Sequence, residues 1–318
     1  MTVRPVTRRA ATILIVLALA WAALPSAALG GTVPPAPPSA GVAAAPLDPA
    51  TKLRGDLAAL VAGETALDPR IAKLVAGYED GELPYFVYLT EPNDAAHRAV
   101  LEGLGARVLR SYRSVPVFAL ASDATSVLRV AAKPWVSWLA PVELVVALDE
   151  PVVDQSRATT ADVGAPQQWD AGITGTGVRI AVLDTGVDPV HPDLDDQDFG
   201  HWSDLLPNEA KVVEARDFNG GGCNPVVIDG HGHGTHVAGI ATGTGEGLPS
   251  LAPTGTDDDG KYAGIAPGAE LAVGKVLTDA GAGINSDLVA AMEWAAMPDS
   301  LDPTSCSVGA DIVNLSLG

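Results

Sequence analysis

Three of the chain's six histidines fall within six residues, in the segment Asp229-Gly230-His231-Gly232-His233-Gly234-Thr235-His236-Val237-Ala238-Gly239-Ile240. Glycines between the histidines let the backbone turn sharply. Two chemistries use such a cluster. In the first, His231, His233 and His236 hold zinc, because their spacing approaches the HxHxDH pattern of binuclear zinc hydrolases. Thr235 stands where that pattern needs an aspartate, so a second metal would lack a ligand. In the second, one imidazole carries a proton. An imidazole titrating near neutrality takes a proton from a hydroxyl and returns it to a leaving amine, provided that a buried carboxylate holds its tautomer. Asp184, which closes the apolar run 178–183, is the natural orienter. Alone, an aspartate at a strand end reads equally as a turn former or a helix cap.

These side chains need elements that bring them to one rim. Residues 178–183, 271–277 and 312–315 are apolar runs interrupted only by Arg179, Lys275 and Asn314, with helical patterns at 233–242 and 286–297 between them. Apolar strands separated by helices predict a parallel sheet covered on both faces. In such sheets, sites form at the carboxyl ends of the strands. The first run ends in Asp184-Thr185-Gly186, the third in Asn314-Leu315-Ser316-Leu317-Gly318, and the histidine helix opens from a glycine-rich turn.

Val182-Leu183-Asp184-Thr185-Gly186-Val187-Asp188, followed by His191-Pro192-Asp193-Leu194, resembles the aspartate segment of the subtilisin-like serine peptidases (subtilases, peptidase S8). His233-Gly234-Thr235-His236-Val237-Ala238-Gly239 is similar to that family's histidine segment, and Asn314-Leu315-Ser316-Leu317-Gly318 to its substrate-binding strand. The order Asp then His is the family's own. The resemblance covers about residues 167–318 and implies hydrolysis of peptide bonds through an Asp-His-Ser triad. Asp184 would orient His233, the general base and then general acid. His236 would be structural, Ala238 and Gly239 would let the helix pack closely, and His231, outside the motif, would lie on the surface or in a loop. Lys275-Val276-Leu277 followed by Gly281-Ala282-Gly283 is similar to the second substrate strand. With Ser316, Leu317 and Gly318 it would pair a peptide backbone from both sides.

The family's Gly-Thr-Ser-x-Ala segment does not occur in the 318 residues. Ser305 and Ser307 flank Cys306 in a connector, and Ser316 belongs to the substrate strand. The nucleophile and the oxyanion-hole asparagine are therefore expected beyond Gly318, and these residues alone are expected to be inactive. A contrasting reading is a non-catalytic peptide-binding or inhibitory protein that keeps the cleft without the nucleophile. The resemblance implies no cofactor for catalysis. Structural calcium is common in the family, and Asp193 matches a position that often ligates it. The acidic loop 243–262, with Asp257-Asp258-Asp259, reads as solvated, because calcium needs six to eight converging oxygens.

Upstream, Arg4, Arg8 and Arg9 precede an apolar run at 10–23 and the small residues Ser26, Ala27, Ala28 and Gly30. That is the layout of a secretory signal peptide (1–30), too short to span a bilayer, and it predicts export to the extracellular medium. Thr7-Arg8-Arg9 partly resembles a twin-arginine signal. No other stretch reaches about 18 apolar residues, so no membrane anchor is expected in this segment. Residues 31–81 read as a Pro/Ala-rich linker with short helical patterns at 50–62 and 68–78.

From 82 to 148 the pattern is strand (85–89), helix (95–104), β-rich (107–121, broken at Pro116), helix (125–132) and β-rich (135–146). This β-α-β-β-α-β order predicts a small α+β ferredoxin-like sandwich. The unit resembles the inhibitory propeptide that precedes subtilase catalytic domains, which would block the cleft until cut within 147–161. Residues 149–165 would be the exposed connector with that maturation site, and 166–318 the N-terminal part of the catalytic domain. The expected fold is thus an incomplete subtilisin-like α/β sheet behind a propeptide domain.

Composition narrows the partners. Of the net charge of −20, residues 1–150 carry −1 (13 Lys/Arg, 14 Asp/Glu) and residues 151–318 carry −19 (6 and 25). Six cations cannot neutralise a phosphate backbone, which excludes nucleic acid as a partner and leaves a peptide or protein substrate. A chain that is 47% hydrophobic, with 34 Gly and 25 Pro, is neither disordered nor a coiled coil. In an oxidising compartment, Cys223 and Cys306 are candidates for a disulfide, stabilising by about 4–5 kcal/mol in the chain-entropy estimate.

Overall fold

The computed structural model describes residues 48–148, 163–194, 211–220, 222–223, 227–245, 263–297 and 309–318. The segment expected to be a signal peptide, the expected linker up to 47, the connector at 149–162, the acidic run 257–259 and Cys306, and with it the candidate disulfide, lie outside the described residues.

A 3-10 turn (Pro49–Lys52) and helices α1 (Leu57–Ala62) and α2 (Pro69–Leu74) lead into β1 (Leu83–Leu89) and α3 (Ala95–Gly103). Then follow β2 (Arg107–Ser111), β3 (Val117–Ser122), α4 (Ala124–Ala131) and β4 (Val136–Pro141). The four strands pair antiparallel in the order β2-β3-β1-β4, the β-α-β-β-α-β arrangement of a ferredoxin-like sandwich. Asp94 and Asp123 start the two crossover helices by accepting the amides of His97 (2.8 Å) and Ser126 (3.0 Å).

This sheet is buried on both faces. Tyr85, Val87, Leu120 and Leu139 pack under the helices with Leu101, Val127 and Val130. Phe86, Tyr112, Val117 and Ala119 pack on the other side with Ile284 and Val289 of the larger unit. The small unit also begins earlier than its sequence pattern indicates. Leu53 and Leu57 join the first core, Arg54 N donates to Leu139 O at 2.8 Å, and Ile71 and Val75 lie in the second.

The larger unit follows β5 (Leu144–Val146). It comprises α5 (Ala165–Asp170), β6 (Arg179–Asp184), β7 (Val212–Asp217), β8 (Gly222–Cys223) and α6 (His233–Thr242), then β9 (Glu270–Lys275), β10 (Ala282–Ile284), α7 (Asn285–Ala296) and β11 (Ile312–Asn314). Among the described residues its sheet runs β11-β6-β9-β7-β8, parallel throughout except for β8. Successive residues of β6 face opposite cores. Ile180 and Val182 pack with Ala238 of α6, whereas Ala181 and Leu183 pack with Ala291 and Trp294 of α7. Burial on both faces is why this strand is apolar without a break from Ile180 to Leu183. No helix of the described residues is long and apolar enough to cross a membrane.

Candidate active site

Asp184 ends β6 with no solvent exposure, and its Oδ1 lies 2.7 Å from Nδ1 of His233, the first residue of α6. The same oxygen accepts the amide of Thr185 at 2.7 Å, while Oδ2 is buried without a hydrogen-bond partner among the described residues. With Nδ1 engaged by the carboxylate, the His233 imidazole has Nε2 left for a second proton partner. Its side chain is 12% exposed, enough to be reached.

The close approach depends on backbone that only glycine serves. Gly232 enters α6 with φ of +94°, and any side chain at Gly234 would collide with the carbonyl of Gly186.

A second carboxylate, Asp229, holds both loops. Its Oδ1 accepts Thr185 Oγ1 (2.8 Å) and the amides of His231 (3.0 Å) and Gly232 (2.8 Å). Its Oδ2 accepts the amide (2.8 Å) and hydroxyl (2.7 Å) of Thr235. Thr185 in turn accepts the amide of Gly234 at 2.9 Å, so the residue after Asp184 and the residue after His233 are bonded directly. Burial opposes ionisation of Asp229, but the donors from Thr235, Gly232 and Thr185 outweigh it and hold its carboxyl below the usual range. The sequence alone assigns Asp229 no role. Its position four residues before His233 and just ahead of a helix start was the available signal, since such an aspartate can satisfy helix N-terminal amides.

Of the six residues expected to bind peptide, Gly281, Ala282 and Gly283 form one wall and Ser316, Leu317 and Gly318 the other, with the chain's own residues 144–148 between them. Val146 pairs with Ala282, Val145 with Gly283 and Leu144 with Ile284, all antiparallel. On the other side Val146 and Gly318 exchange both backbone bonds (2.9 and 3.0 Å), and Leu148 N donates to Ser316 O at 3.3 Å. Ala147 N donates to Gly281 O at 2.8 Å. Side chains alternate as a strand requires. Val145 and Ala147 are buried among Val276 and Leu277, while Val146 and Leu148 are 38% and 56% exposed.

Residues 175–318 match the model of the subtilase family, Peptidase_S8. That segment is similar to the subtilases. The chain is 36% identical over 165 residues to halolysin of Haloferax mediterranei, covering 51% of this chain and 25% of that protein. It is 29% identical over 253 residues to an alkaline protease of Alkalihalobacillus alcalophilus, covering 77% and 53%. The chain thus spans between a quarter and about half the length of these relatives. Its fold is similar to that of fervidolysin from Fervidobacterium pennivorans, a keratinolytic enzyme related to subtilisin, with TM-score 0.51 at 20% identity over 76% of this chain and 36% of that one. The subtilisin-like fold expected of the parallel sheet is therefore present.

Within this segment the structure also places the remaining candidates. The zinc reading of His231, His233 and His236 finds no support: His236 is exposed on the helix, and among the described residues no group of three or more His, Cys, Asp or Glu is placed to hold a metal ion. His231 lies in the loop before α6, as expected, and is half-buried. Its ring centroid lies 6.2 Å from that of His233, and a side chain added at Gly281 would come within 2.9 Å of its Nε2. Asp193, the calcium candidate, places its carboxylate 4.0 Å from His191 Nδ1, and its carbonyl accepts Thr244 N at 3.1 Å. Among the described residues no group of three or more His, Cys, Asp or Glu is placed to hold a metal ion at Asp193.

Proposed function

We propose that this chain is the precursor portion of a secreted serine endopeptidase, with Asp184 and His233 as two members of its triad and residues 48–148 as an intramolecular inhibitor. The observation that carries this reading is the strand 144–148, held antiparallel between Gly281–Gly283 and Ser316–Gly318, beside a carboxylate–imidazole pair at 2.7 Å. A strand bound on both sides gains affinity from main-chain bonds irrespective of its side chains, as a broad peptidase requires.

In the reaction, a serine hydroxyl from the family's Gly-Thr-Ser-x-Ala segment attacks a substrate carbonyl while His233 Nε2 takes its proton. The tetrahedral intermediate collapses by breaking the C–N bond, and His233 returns the proton to the departing amine. Water then repeats the sequence on the acyl ester. Asp184 holds the imidazole tautomer and stabilises the imidazolium that forms in each step.

Among the described residues Leu148 is the last one paired, through Ser316, which supports a cut between Leu148 and Asp149. In protein that carries the nucleophile segment, mass spectrometry of the released N-terminal fragment is expected to find Leu148 at its end, and His233→Ala to abolish release. An end elsewhere would overturn the register, and an uncut chain would favour the non-catalytic peptide-binding reading. The 318 residues by themselves are expected to take no serine-directed phosphonate. Stoichiometric labelling of Ser305, Ser307 or Ser316 would overturn the absence of the nucleophile from these residues.

A further inference from the structure

The turn joining β9 to β10 carries a carboxylate that the triad chemistry does not use. Asp279 Oδ1 lies 2.7 Å from Lys275 Nζ and accepts the amide of Gly230 at 3.2 Å. Lys275, whose side chain is 11% exposed, also donates to the backbone oxygen of Thr185, the residue after Asp184. Gly230 lies three residues before His233 and packs so closely that any side chain there would collide with the Asp279 carboxyl. One carboxylate oxygen therefore bonds to the histidine loop and, through Lys275, to the aspartate loop.

The same turn ends at the peptide wall. Gly281, at φ of +70°, donates to Thr278 O at 2.9 Å, while Thr278 N and Oγ1 both donate to Ala282 O at 2.9 Å. Gly281 O is the acceptor for Ala147 N. The position of that carbonyl is thus set by a short, rigid turn, and Asp279 ties this turn to the loop carrying His233.

We propose that Asp279 is a positioning residue that couples an occupied peptide cleft to the Asp184–His233 pair, an inference that rests on reading residues 144–148 as the cleft's occupant. A peptide pulling on Gly281 O moves the turn. Asp279 transmits that displacement to Gly230 and Lys275, and so to the loops on which the imidazole and its carboxylate sit. Without Asp279, Lys275 keeps Thr185 O, but the Gly230 amide loses its acceptor and the turn can shift against the histidine loop. The Asp279 side chain is 65% exposed, so its ion pair adds little to global stability and its effect falls on register.

Two reporters in the 318-residue chain test this: hydrogen exchange at the Ala147 amide, and the low-field NMR resonance of the His233 Nδ1 proton. With Asp279→Ala, exchange at Ala147 is expected to quicken about tenfold and the His233 resonance to shift or broaden, while the urea midpoint stays at the wild-type value. Asp279→Asn, which keeps an oxygen acceptor for Gly230, is expected to restore the resonance in part. The coupling is overturned if either reporter in Asp279→Ala matches wild type, or if both move only in step with global unfolding. If the wild-type chain itself lacks a protected Ala147 amide and a low-field His233 proton, the cleft reading falls as well, so the two failures are distinguishable.

Discussion

Asp229 accepts five hydrogen bonds on two oxygens, more than the triad candidate Asp184, and its value lies in what those donors belong to. Three are backbone amides of the histidine loop and one is the hydroxyl of the residue after Asp184, so the geometry of the pair is inherited from a third residue. Asparagine at 229 replaces one accepting oxygen by a donor, which sets it against an N–H or O–H. Asp229→Asn is therefore expected to destabilise the chain by about 2 kcal/mol at pH 7, measured by urea unfolding. The pH dependence has a definite sign. A carboxyl held below its ordinary value of 3.8 contributes stability above that value and loses it as pH falls through the lowered one. The difference between wild type and Asp229→Asn should therefore shrink as pH is lowered below 3.8, and a constant difference would show that the charge is not what matters.

At the scale of elements, the short strand β10 shows how tightly the peptide wall is built. A side chain at Gly283 would strike the carbonyl of Val276 and approach Leu277 Cδ2 to 3.1 Å. Gly283 also sits opposite Val145 in the pairing. Gly283→Ala is therefore expected to push β10 outward, costing about 1–3 kcal/mol, the usual penalty for overpacking. The loss should be local. Amide exchange is expected to rise along 144–148 and 282–284 while α6 and β6 remain protected, and uniform loss of protection would contradict this.

At the scale of the whole molecule, the small unit is held to the larger one at the start of α7. Arg110 Nε and Nη2 reach Asp287 Oδ1 at 3.0 and 2.8 Å, and Nη2 also donates to Phe218 O at 2.9 Å. Tyr112 Oη donates to Ser286 O at 2.8 Å, and the amides of Arg113 and Ser114 donate to Glu293 Oε1. Burial raises the Asp287 carboxyl above its usual range, Arg110 opposes that rise, and Asp217 adds to it. Ionised Asp287 thus costs folding free energy. The cost is absent below its ordinary value of 3.8 and grows as pH rises to the raised one. Arg110→Met, which leaves that carboxylate uncompensated, should destabilise the chain by about 2 kcal/mol at pH 7 and by less at pH 4, where Asp287 takes up a proton. Asp287→Asn should flatten the stability slope between those pH values, and equal slopes in wild type and variant would refute the assignment.

Local patterns in the sequence determined a good deal. The three apolar runs became β6, β9 and β11, the helical patterns at 233–242 and 286–297 became α6 and α7, and the alternation in 82–148 became a four-stranded sandwich. Asp184, His233 and the residues expected to bind peptide could be singled out because the subtilase segments they resemble are short and contiguous. Periodicity and motif are local properties, and they carried no trace of the rest. β7 was missed because Val212-Val213-Glu214-Ala215-Arg216-Asp217 neither alternates nor stays apolar. The second buried face of the small sheet, the lodging of 144–148 between its walls, and the roles of Asp229 and Asp279 depend on partners far apart in the chain. Thr185 and Asp229 are 44 residues apart, and Arg110 and Asp287 are 177 apart. Which polar groups meet across such distances is decided when β6, α6, β9 and α7 pack, because buried carboxylates keep only those positions where donors from several elements converge.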